Sequence, residues 1–183
     1  SKQPVCMVIG AGAGIAGNVA KRFAKEGFHS VLCRRSNQHG MDDLIWDIEE
    51  EGGTASGFLI NIVEPESIEQ CVEKVENDIG PIDTLVFNLG AQVGNKSLSE
   101  TSYKMFALGW RLATFSLFRT ASSVLPKMEN RGKGSFLATT STAAFRGNAG
   151  QHSHASAMGG RRMLCESLNA EFASKGIHIV HIL

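Results

Sequence analysis

The segment that most constrains the fold is an apolar run that ends in a cluster of glycines. The run Val5 to Ile9 has the length and composition of a buried strand, and residues 17–26 carry apolar side chains at helical spacing. Glycines occupy positions 10, 12, 14 and 17 between them. A strand that leads into a helix brings unpaired backbone N–H groups and the positive end of the helix dipole to one point. The segment therefore predicts a strand–turn–helix unit that can hold a phosphate group.

The glycines of this turn fit two patterns. Gly12, Gly14 and Gly17 spell G-x-G-x-x-G, which is typical of dinucleotide-binding domains. Gly10, Gly14 and Ala16 spell G-x-x-x-G-x-A, which begins at the end of the strand. We favour the second pattern because the first glycine belongs where the strand stops. A glycine-rich turn that binds no ligand remains the alternative, since either pattern also occurs by chance.

Runs of strand length and helix length alternate along the rest of the chain. The predicted strands are Val5 to Ile9, Ser30 to Cys33, Ala55 to Ile60, Thr84 to Phe87, Gly134 to Thr140 and Ile177 to Leu183. The predicted helices are 17–26, 42–51, 64–79, 101–129 with a break before Pro126, and 154–174. This alternation predicts an α/β fold, a doubly wound parallel sheet of the Rossmann type, in a single domain of residues 1–183. The sixth strand has no turn or cap after it, so we expect a further C-terminal part beyond it.

The charge balance and the cysteine content indicate which classes of partner and which cellular compartment to expect. The 18 basic and 18 acidic side chains are spread along the chain, which argues against a nucleic-acid or anionic-membrane partner. No apolar run approaches the ~18 residues that a membrane span needs. The four cysteines lie far apart, as is typical of reduced thiols: Cys6, Cys33, Cys71 and Cys165. We therefore expect a cytoplasmic protein, with import into an organelle as the open alternative.

Several separate motifs coincide in position with those of one enzyme family. The matching residues are Gly10, Gly14, Asn88, Gly90, Ala91, Ser141 and Gly176. Together they resemble the short-chain dehydrogenase/reductase family over nearly the whole chain, and the oxoacyl-carrier-protein reductase type in particular. The resemblance implies an oxidoreductase that acts on a small carbonyl or alcohol substrate with a nicotinamide dinucleotide. It also implies a homo-oligomer, either a dimer or a tetramer.

The resemblance assigns the cofactor to the residues that follow the strands. The implied cofactor-binding residues are Gly10, Gly12, Gly14, Ile15, Arg34, Asn61, Ile62, Asn88 and Gly90. Asn61 takes the place of an acidic residue that holds the adenine in family members, and Ile62 lies beside the ring. The sequence departs from the family pattern at Ile9, Phe87 and Leu89, and we expect binding to survive these changes.

The end of the second strand indicates which form of the cofactor binds. NAD enzymes place a carboxylate there for the ribose hydroxyls, whereas a 2′-phosphate requires a guanidinium and no neighbouring anion. Cys33 stands at the carboxylate position and Arg34 follows it, which favours NADP(H) over NAD(H). The alternative is that Arg34 and Arg35 only solvate the start of the next helix.

Most of the residues that carry the family's chemistry are replaced. Its members use a Tyr as proton donor, a Lys four residues later, a Ser that binds the carbonyl oxygen, and an Asn in the preceding long helix. Only the Ser is present, as Ser141, and the other positions fall on His154, Met158 and Ala113. The implied catalytic residues are Ser141 and His154, because imidazole titrates near ~6.5 without help. The alternative is an inactive nucleotide-binding protein, a pseudoenzyme that acts as a sensor or scaffold subunit.

The helix around residue 154 carries three further patterns. His152 and His154 are too few ligands for a metal site, so none is predicted. The pair at 159–160, Gly-Gly, costs helix stability and predicts a close helix contact at a subunit interface. Arg161 and Arg162 are interpreted as a solvated or interface pair.

Overall fold

The structure is a computed structural model that describes residues 3–90 and 94–183, and its centre is one parallel sheet. The strands are β1 (Val5–Ile9), β2 (His29–Arg34), β3 (Thr54–Leu59), β4 (Ile82–Phe87), β5 (Gly134–Thr139) and β6 (Ile177–Ile182). They lie in the order β3-β2-β1-β4-β5-β6, and every neighbouring pair is parallel. The prediction of a doubly wound α/β sheet is confirmed. In such a sheet the order reverses beside β1, and ligands bind at the carboxyl ends of the strands near that point.

The helices connect consecutive strands. In the described ranges they are α1 (Ile15–Lys25), α2 (Gln38–Glu50), α3 (Ser67–Lys74), α4 (Tyr103–Trp110), α5 (Ser116–Arg131) and α6 (His152–Phe172). Single π-helical turns follow α3 at Val75–Ile79 and join α4 to α5 at Arg111–Phe115, and short 3-10 segments lie at Thr142–Ala144 and Ala173–Lys175. None of these helices combines the length and the hydropathy that crossing a bilayer requires.

Two hydrophobic clusters cover the two faces of the sheet. Val5, Met7 and Ile9 of β1 belong to the cluster on one face, which α3, α5 and α6 complete. Cys6 and Val8 belong to the cluster on the other face, beneath α1 and α2. All five residues of β1 are buried. Burial on both faces explains why β1 is a continuous apolar run in the sequence rather than an alternating one.

The long apolar segment after residue 101 is interrupted at a different place from the one predicted. The predicted break before Pro126 is wrong, because α5 continues through Pro126 to Arg131. A proline removes the hydrogen bond to the carbonyl four residues earlier, which belongs to Ser122. Ser122 and Pro126 are both exposed, so water can solvate that carbonyl. The irregularity lies instead in the π turn Arg111–Phe115.

Candidate dinucleotide and active site

The glycine-rich turn is fixed to the ends of two other strands. The N–H groups of Gly10 and Ala11 both donate to the carbonyl of Cys33 at the end of β2, at 2.8 and 2.9 Å. Gly10 has a φ of +85°, and a Cβ there would lie 2.7 Å from the carbonyl oxygen of Asn88, just after β4. Only glycine combines that φ with so close an approach. The ends of β1, β2 and β4 therefore meet at this one turn.

The other three glycines of the turn, at positions 12, 14 and 17, differ in how much space surrounds them. A Cβ on Gly12 or Gly14 would meet nothing within 4 Å, and Gly14 is exposed, whereas the Gly12 N–H donates to the Gly10 carbonyl at 2.9 Å. A Cβ on Gly17 would lie 2.3 Å from the carbonyl oxygen of Gly12, so this glycine lets α1 pack against the turn. Gly14 precedes α1 without a side-chain cap, and Ile15 in its first turn is 67% exposed. The turn offers accessible backbone at the positive end of α1, which suits a diphosphate.

A pocket of about 290 Å³ opens beside this turn at the carboxyl ends of β1, β2 and β4. Five of the predicted cofactor residues line it: Gly10, Arg34, Asn61, Ile62 and Gly90. Gly12, Gly14, Ile15 and Asn88 lie outside its lining. Its volume is close to the lower end of the range for small-molecule sites, about 300 Å³, which fits the adenosine part of a dinucleotide. Ala91, the last residue of the motif after β4, lies outside the described residues.

The wall that carries Asn61 and Ile62 is held by polar contacts. The Asn61 side chain donates to Glu64 Oε1 at 3.0 Å. Arg119 of α5 donates to the Ile62 carbonyl at 2.8 Å and to both carboxylate oxygens of Glu69 at 2.9 and 2.6 Å. The hydrogen bond from Arg119 lowers the pKa of the Glu69 carboxyl. The sequence contains no signal for Arg119, because its partners lie at least 50 residues away.

Two guanidinium groups lie where β2 opens into the pocket. Arg34 is half-buried and Arg35 is exposed, and both line the pocket next to Cys33. Neither guanidinium forms an ion pair with a carboxylate among residues 3–90 and 94–183. An anionic group bound here meets positive charge and no carboxylate at the Cys33 position. These two side chains are therefore placed to hydrogen-bond an anionic group at the end of β2.

The predicted catalytic pair is brought together at the end of β5. Ser141 follows this strand and His154 lies in the first turn of α6. Ser141 Oγ lies 3.3 Å from His154 Nε2, and both side chains are partly buried. A hydroxyl and an imidazole at this distance can bind one substrate oxygen and exchange a proton with it.

Met158 and Ala113, the residues predicted at the family's Lys and Asn positions, lie in an apolar contact between helices. Met158 is 3% exposed and Ala113 is fully buried, in one small cluster with Ala143 and Ala157. Thr114 Oγ1 donates to the Ala157 carbonyl at 2.8 Å. No second ionisable group stands beside His154 at these two positions.

One prediction for α6 requires correction, and one stays a prediction. A Cβ on Gly160 would lie 3.0 Å from Thr114 Oγ1, so Gly160 makes a close helix contact within the chain, whereas the contact at a subunit interface stays a prediction. Arg161 is 2% exposed, so its interpretation as a solvated residue is wrong. Arg162 is the outer member of the pair and forms a surface ion pair with Glu166 at 2.8 Å.

The Arg161 guanidinium joins three parts of the backbone around the site. It donates to the carbonyls of Ala113, Thr139 and Leu89 at 3.0, 2.8 and 2.8 Å. These carbonyls belong to the π turn, the end of β5 and the segment after β4. Burial lowers the pKa of Arg161 to about 10, so the group stays charged near neutral pH. Its carbonyl partners lie 22 to 72 residues away in the chain, so the sequence carries no signal for this role.

A further contact links the cofactor motif after β4 to β5. Thr139 Oγ1 donates to Asn88 Oδ1 at 2.8 Å. No group of three metal-ligating side chains occurs in the described part of the chain, at His152 and His154 or elsewhere.

The sequence and the structure of this chain are similar to those of known dehydrogenases and reductases. The family model for short chain dehydrogenase matches residues 4–183. The 3-oxoacyl-(acyl-carrier-protein) reductase FabG of Escherichia coli is 27% identical over 96% of this chain and 70% of its own length. A short-chain dehydrogenase structure from Rhodopseudomonas palustris has a TM-score of 0.93 and 30% identity over 99% of this chain and 84% of its own. The structure of a 7α-hydroxysteroid dehydrogenase complexed with NADH and 7-oxo glycochenodeoxycholic acid has a TM-score of 0.90 and 27% identity, over 98% of this chain and 70% of its own.

Proposed function

This chain belongs to the short-chain dehydrogenase family, and from that premise we propose that it is an NADP(H)-dependent oxidoreductase. Its substrate would be a small carbonyl compound, or the corresponding alcohol in the reverse direction. The observation that carries the proposal is the Ser141 Oγ to His154 Nε2 contact of 3.3 Å at the carboxyl edge of the sheet that also carries the glycine turn.

The proposed binding roles follow the positions of the residues around the pocket. The exposed backbone at Gly14 and the positive end of α1 hold the diphosphate, and Gly12 shapes the turn through the hydrogen bond of its N–H to the Gly10 carbonyl at 2.9 Å. Asn61 and Ile62 form one wall of the adenosine site, and Arg34 pairs with the 2′-phosphate. The cofactor supplies or accepts the hydride.

The proposed catalytic roles belong to the chain's own side chains. The Ser141 hydroxyl donates a hydrogen bond to the carbonyl oxygen of the substrate and orients it. Protonated His154 transfers its Nε2 proton to that oxygen as the carbonyl carbon is reduced, and neutral His154 takes the proton back when the alcohol is oxidised. Since Met158 carries no charge, His154 performs this step without the neighbouring ammonium that family members use.

Substitution of His154 tests the chemistry. His154→Gln should lower kcat for NADPH-dependent reduction of a carbonyl panel by about a hundredfold, because loss of general acid catalysis typically costs that much. The Kd for NADPH, measured by fluorescence titration, should stay within about twofold, since His154 does not line the adenosine pocket. His178→Gln on the exposed side of β6 is the matched control and should leave both quantities unchanged.

Two other outcomes would redirect the proposal. Turnover that is indifferent to His154→Gln excludes His154 as the proton donor. A wild-type protein that binds NADPH but reduces no carbonyl compound supports the pseudoenzyme alternative instead.

Substitution of Arg34 tests the preference for NADP(H). Arg34→Ala should weaken NADPH binding by about tenfold to a hundredfold, the equivalent of about 1.5–3 kcal/mol for hydrogen bonds to a charged group. NADH binding should change little, because NADH has no 2′-phosphate. Arg22→Ala on the exposed face of α1 is the control. An equal loss of affinity for both cofactors would show that Arg34 does not distinguish them.

We propose the oligomer and the compartment on separate grounds. Large apolar side chains are exposed on α4, the π turn, α5 and α6: Phe106, Trp110, Phe115, Phe118 and Met163. Exposed apolar surface of this kind supports association into a homodimer or homotetramer. The four cysteines are free and buried, which supports a cytoplasmic location.

A further inference from the structure

Two buried thiols meet between β2 and α3, and the proposed chemistry uses neither. Cys33 lies near the end of β2 and Cys71 lies on α3, and their Sγ atoms are 3.9 Å apart. Cys33 is fully buried and Cys71 is 5% exposed. In the described part of the chain, Cys6 and Cys165 have no such thiol neighbour.

The two thiols differ in their readiness to ionise. The hydrogen bond from Cys33 and the nearby Lys74 ammonium lower the pKa of Cys71. The same hydrogen bond and burial raise the pKa of Cys33 well above the usual value. Cys71 is therefore the more readily ionised thiol of the pair. By contrast, burial raises the pKa of Cys6 to about 12 and of Cys165 to about 11, which makes these two thiols inert.

Cys33 also belongs to the dinucleotide site. It lines the 290 Å³ pocket between the glycine turn and Arg34. Its carbonyl accepts the hydrogen bonds of Gly10 and Ala11 at 2.8 and 2.9 Å, which hold the start of the glycine turn. A displacement of Cys33 therefore moves both a wall of the pocket and the support of the turn.

We propose that Cys33 and Cys71 form an oxidation site, at which a hydroperoxide converts the two thiols into an intramolecular disulfide and thereby weakens dinucleotide binding. The effect on the dinucleotide rests on the proposed function, whereas the oxidation itself does not. Cys33 lines the pocket but is fully buried, and Cys71 does not line it, so a small oxidant in the pocket reaches the pair through a local displacement of the Cys33 wall. Bound dinucleotide covers this wall and protects it.

The reaction balances in two steps. The Cys71 thiolate attacks one oxygen of the hydroperoxide, the O–O bond breaks, and the other oxygen leaves as an alcohol or water after taking up a proton. The resulting Cys71 sulfenic acid reacts with the Cys33 thiol, an S–S bond forms, and water leaves. Two thiols lose two electrons and two protons, and the hydroperoxide is reduced by the same two electrons.

Formation of the bond requires a local shift. A disulfide has an S–S distance of about 2.05 Å, so the sulfur atoms must approach by nearly half of their present 3.9 Å. Cys33 is held in register with Ile9 of β1 and Phe58 of β3. The shift therefore draws the Cys33 side chain away from the pocket wall. It also displaces the Cys33 carbonyl that accepts the hydrogen bonds of Gly10 and Ala11.

The test combines peptide mapping with cofactor titration. We expect hydrogen peroxide treatment of the unliganded protein to give a Cys33–Cys71 linked peptide in mass spectrometry. The Kd for NADPH should rise by about tenfold and return to its original value after reduction with a thiol reductant. Saturating NADPH during the treatment should prevent the linkage. Cys71→Ala should abolish both effects, whereas Cys165→Ala should leave both intact.

Three results would overturn the inference or part of it. Absence of the linkage in unliganded protein under excess peroxide removes the oxidation site. A linkage that leaves the NADPH Kd unchanged removes the coupling to the pocket. If the reduced protein does not bind NADPH at all, the proposed function fails, and peptide mapping still decides whether the oxidation site exists.

Discussion

Arg161→Leu should lower the free energy of unfolding by about 3 kcal/mol or more. The guanidinium donates to three backbone carbonyls, and leucine leaves all three without that donor at a site that is 2% exposed. Each buried acceptor left unsatisfied costs about 1–3 kcal/mol. Removal of a buried charge recovers some desolvation energy, but the three carbonyls outweigh it. Urea unfolding followed by circular dichroism measures the change.

The neighbouring arginine provides the control for this result. Arg162→Leu removes only a partly exposed ion pair with Glu166 and should cost about 1 kcal/mol or less. Arg161→Lys should fall between the two, because an ammonium keeps the charge but cannot span three carbonyls with the same planar fork. Equal unfolding midpoints for Arg161→Leu and Arg162→Leu would show that the three carbonyls do not depend on Arg161.

Gly10→Ala should both destabilise the fold and abolish tight binding of NADPH. The φ of +85° costs an alanine about 1–2 kcal/mol. Its Cβ would also stand 2.7 Å from the Asn88 carbonyl oxygen, which is backbone and cannot rotate away. The turn must move from the end of β4, so we expect an NADPH Kd at least about tenfold higher. Fluorescence titration and urea unfolding of one preparation measure both effects.

Gly27→Ala separates the two causes of this loss. Gly27 has a φ of +88°, and a Cβ there would meet nothing within 4 Å. This variant should therefore lose about 1 kcal/mol of stability and keep its NADPH affinity. If Gly10→Ala behaves like Gly27→Ala in both measurements, the contact with Asn88 does not constrain the site.

Strands could be predicted where burial on both faces requires a continuous run of apolar residues in the sequence. A strand covered on both faces must be apolar at every position, and Val5 to Ile9 shows this. The glycine turn was predictable for a related reason, since a φ of +85° at Gly10 excludes almost every other residue. Local constraints of this kind are visible without knowledge of the partners.

The features that were missed depend on partners far away in the chain. Arg161 was interpreted as solvated because an arginine beside an arginine carries no sign of burial, and its partner carbonyls can come from any residue type. A break before Pro126 was predicted, but the exposure of Ser122 lets water solvate the carbonyl that loses its hydrogen bond, and α5 continues. The 3.9 Å approach of Cys33 to Cys71 spans 38 positions of sequence. Only the packing of α3 on the sheet shows this approach.

The π turn Arg111–Phe115 sets the rotational phase between α4 and α5. In an α-helix, residues five positions apart point about 140° away from each other, but a π turn places them one above the other. Trp110 and Phe115 accordingly stack with their ring centroids 6.0 Å apart. Loss or gain of one residue in this turn would rotate α4 by about 100° relative to α5. The hydrogen bond from Arg161 to the Ala113 carbonyl therefore depends on the length of this segment rather than on its side chains.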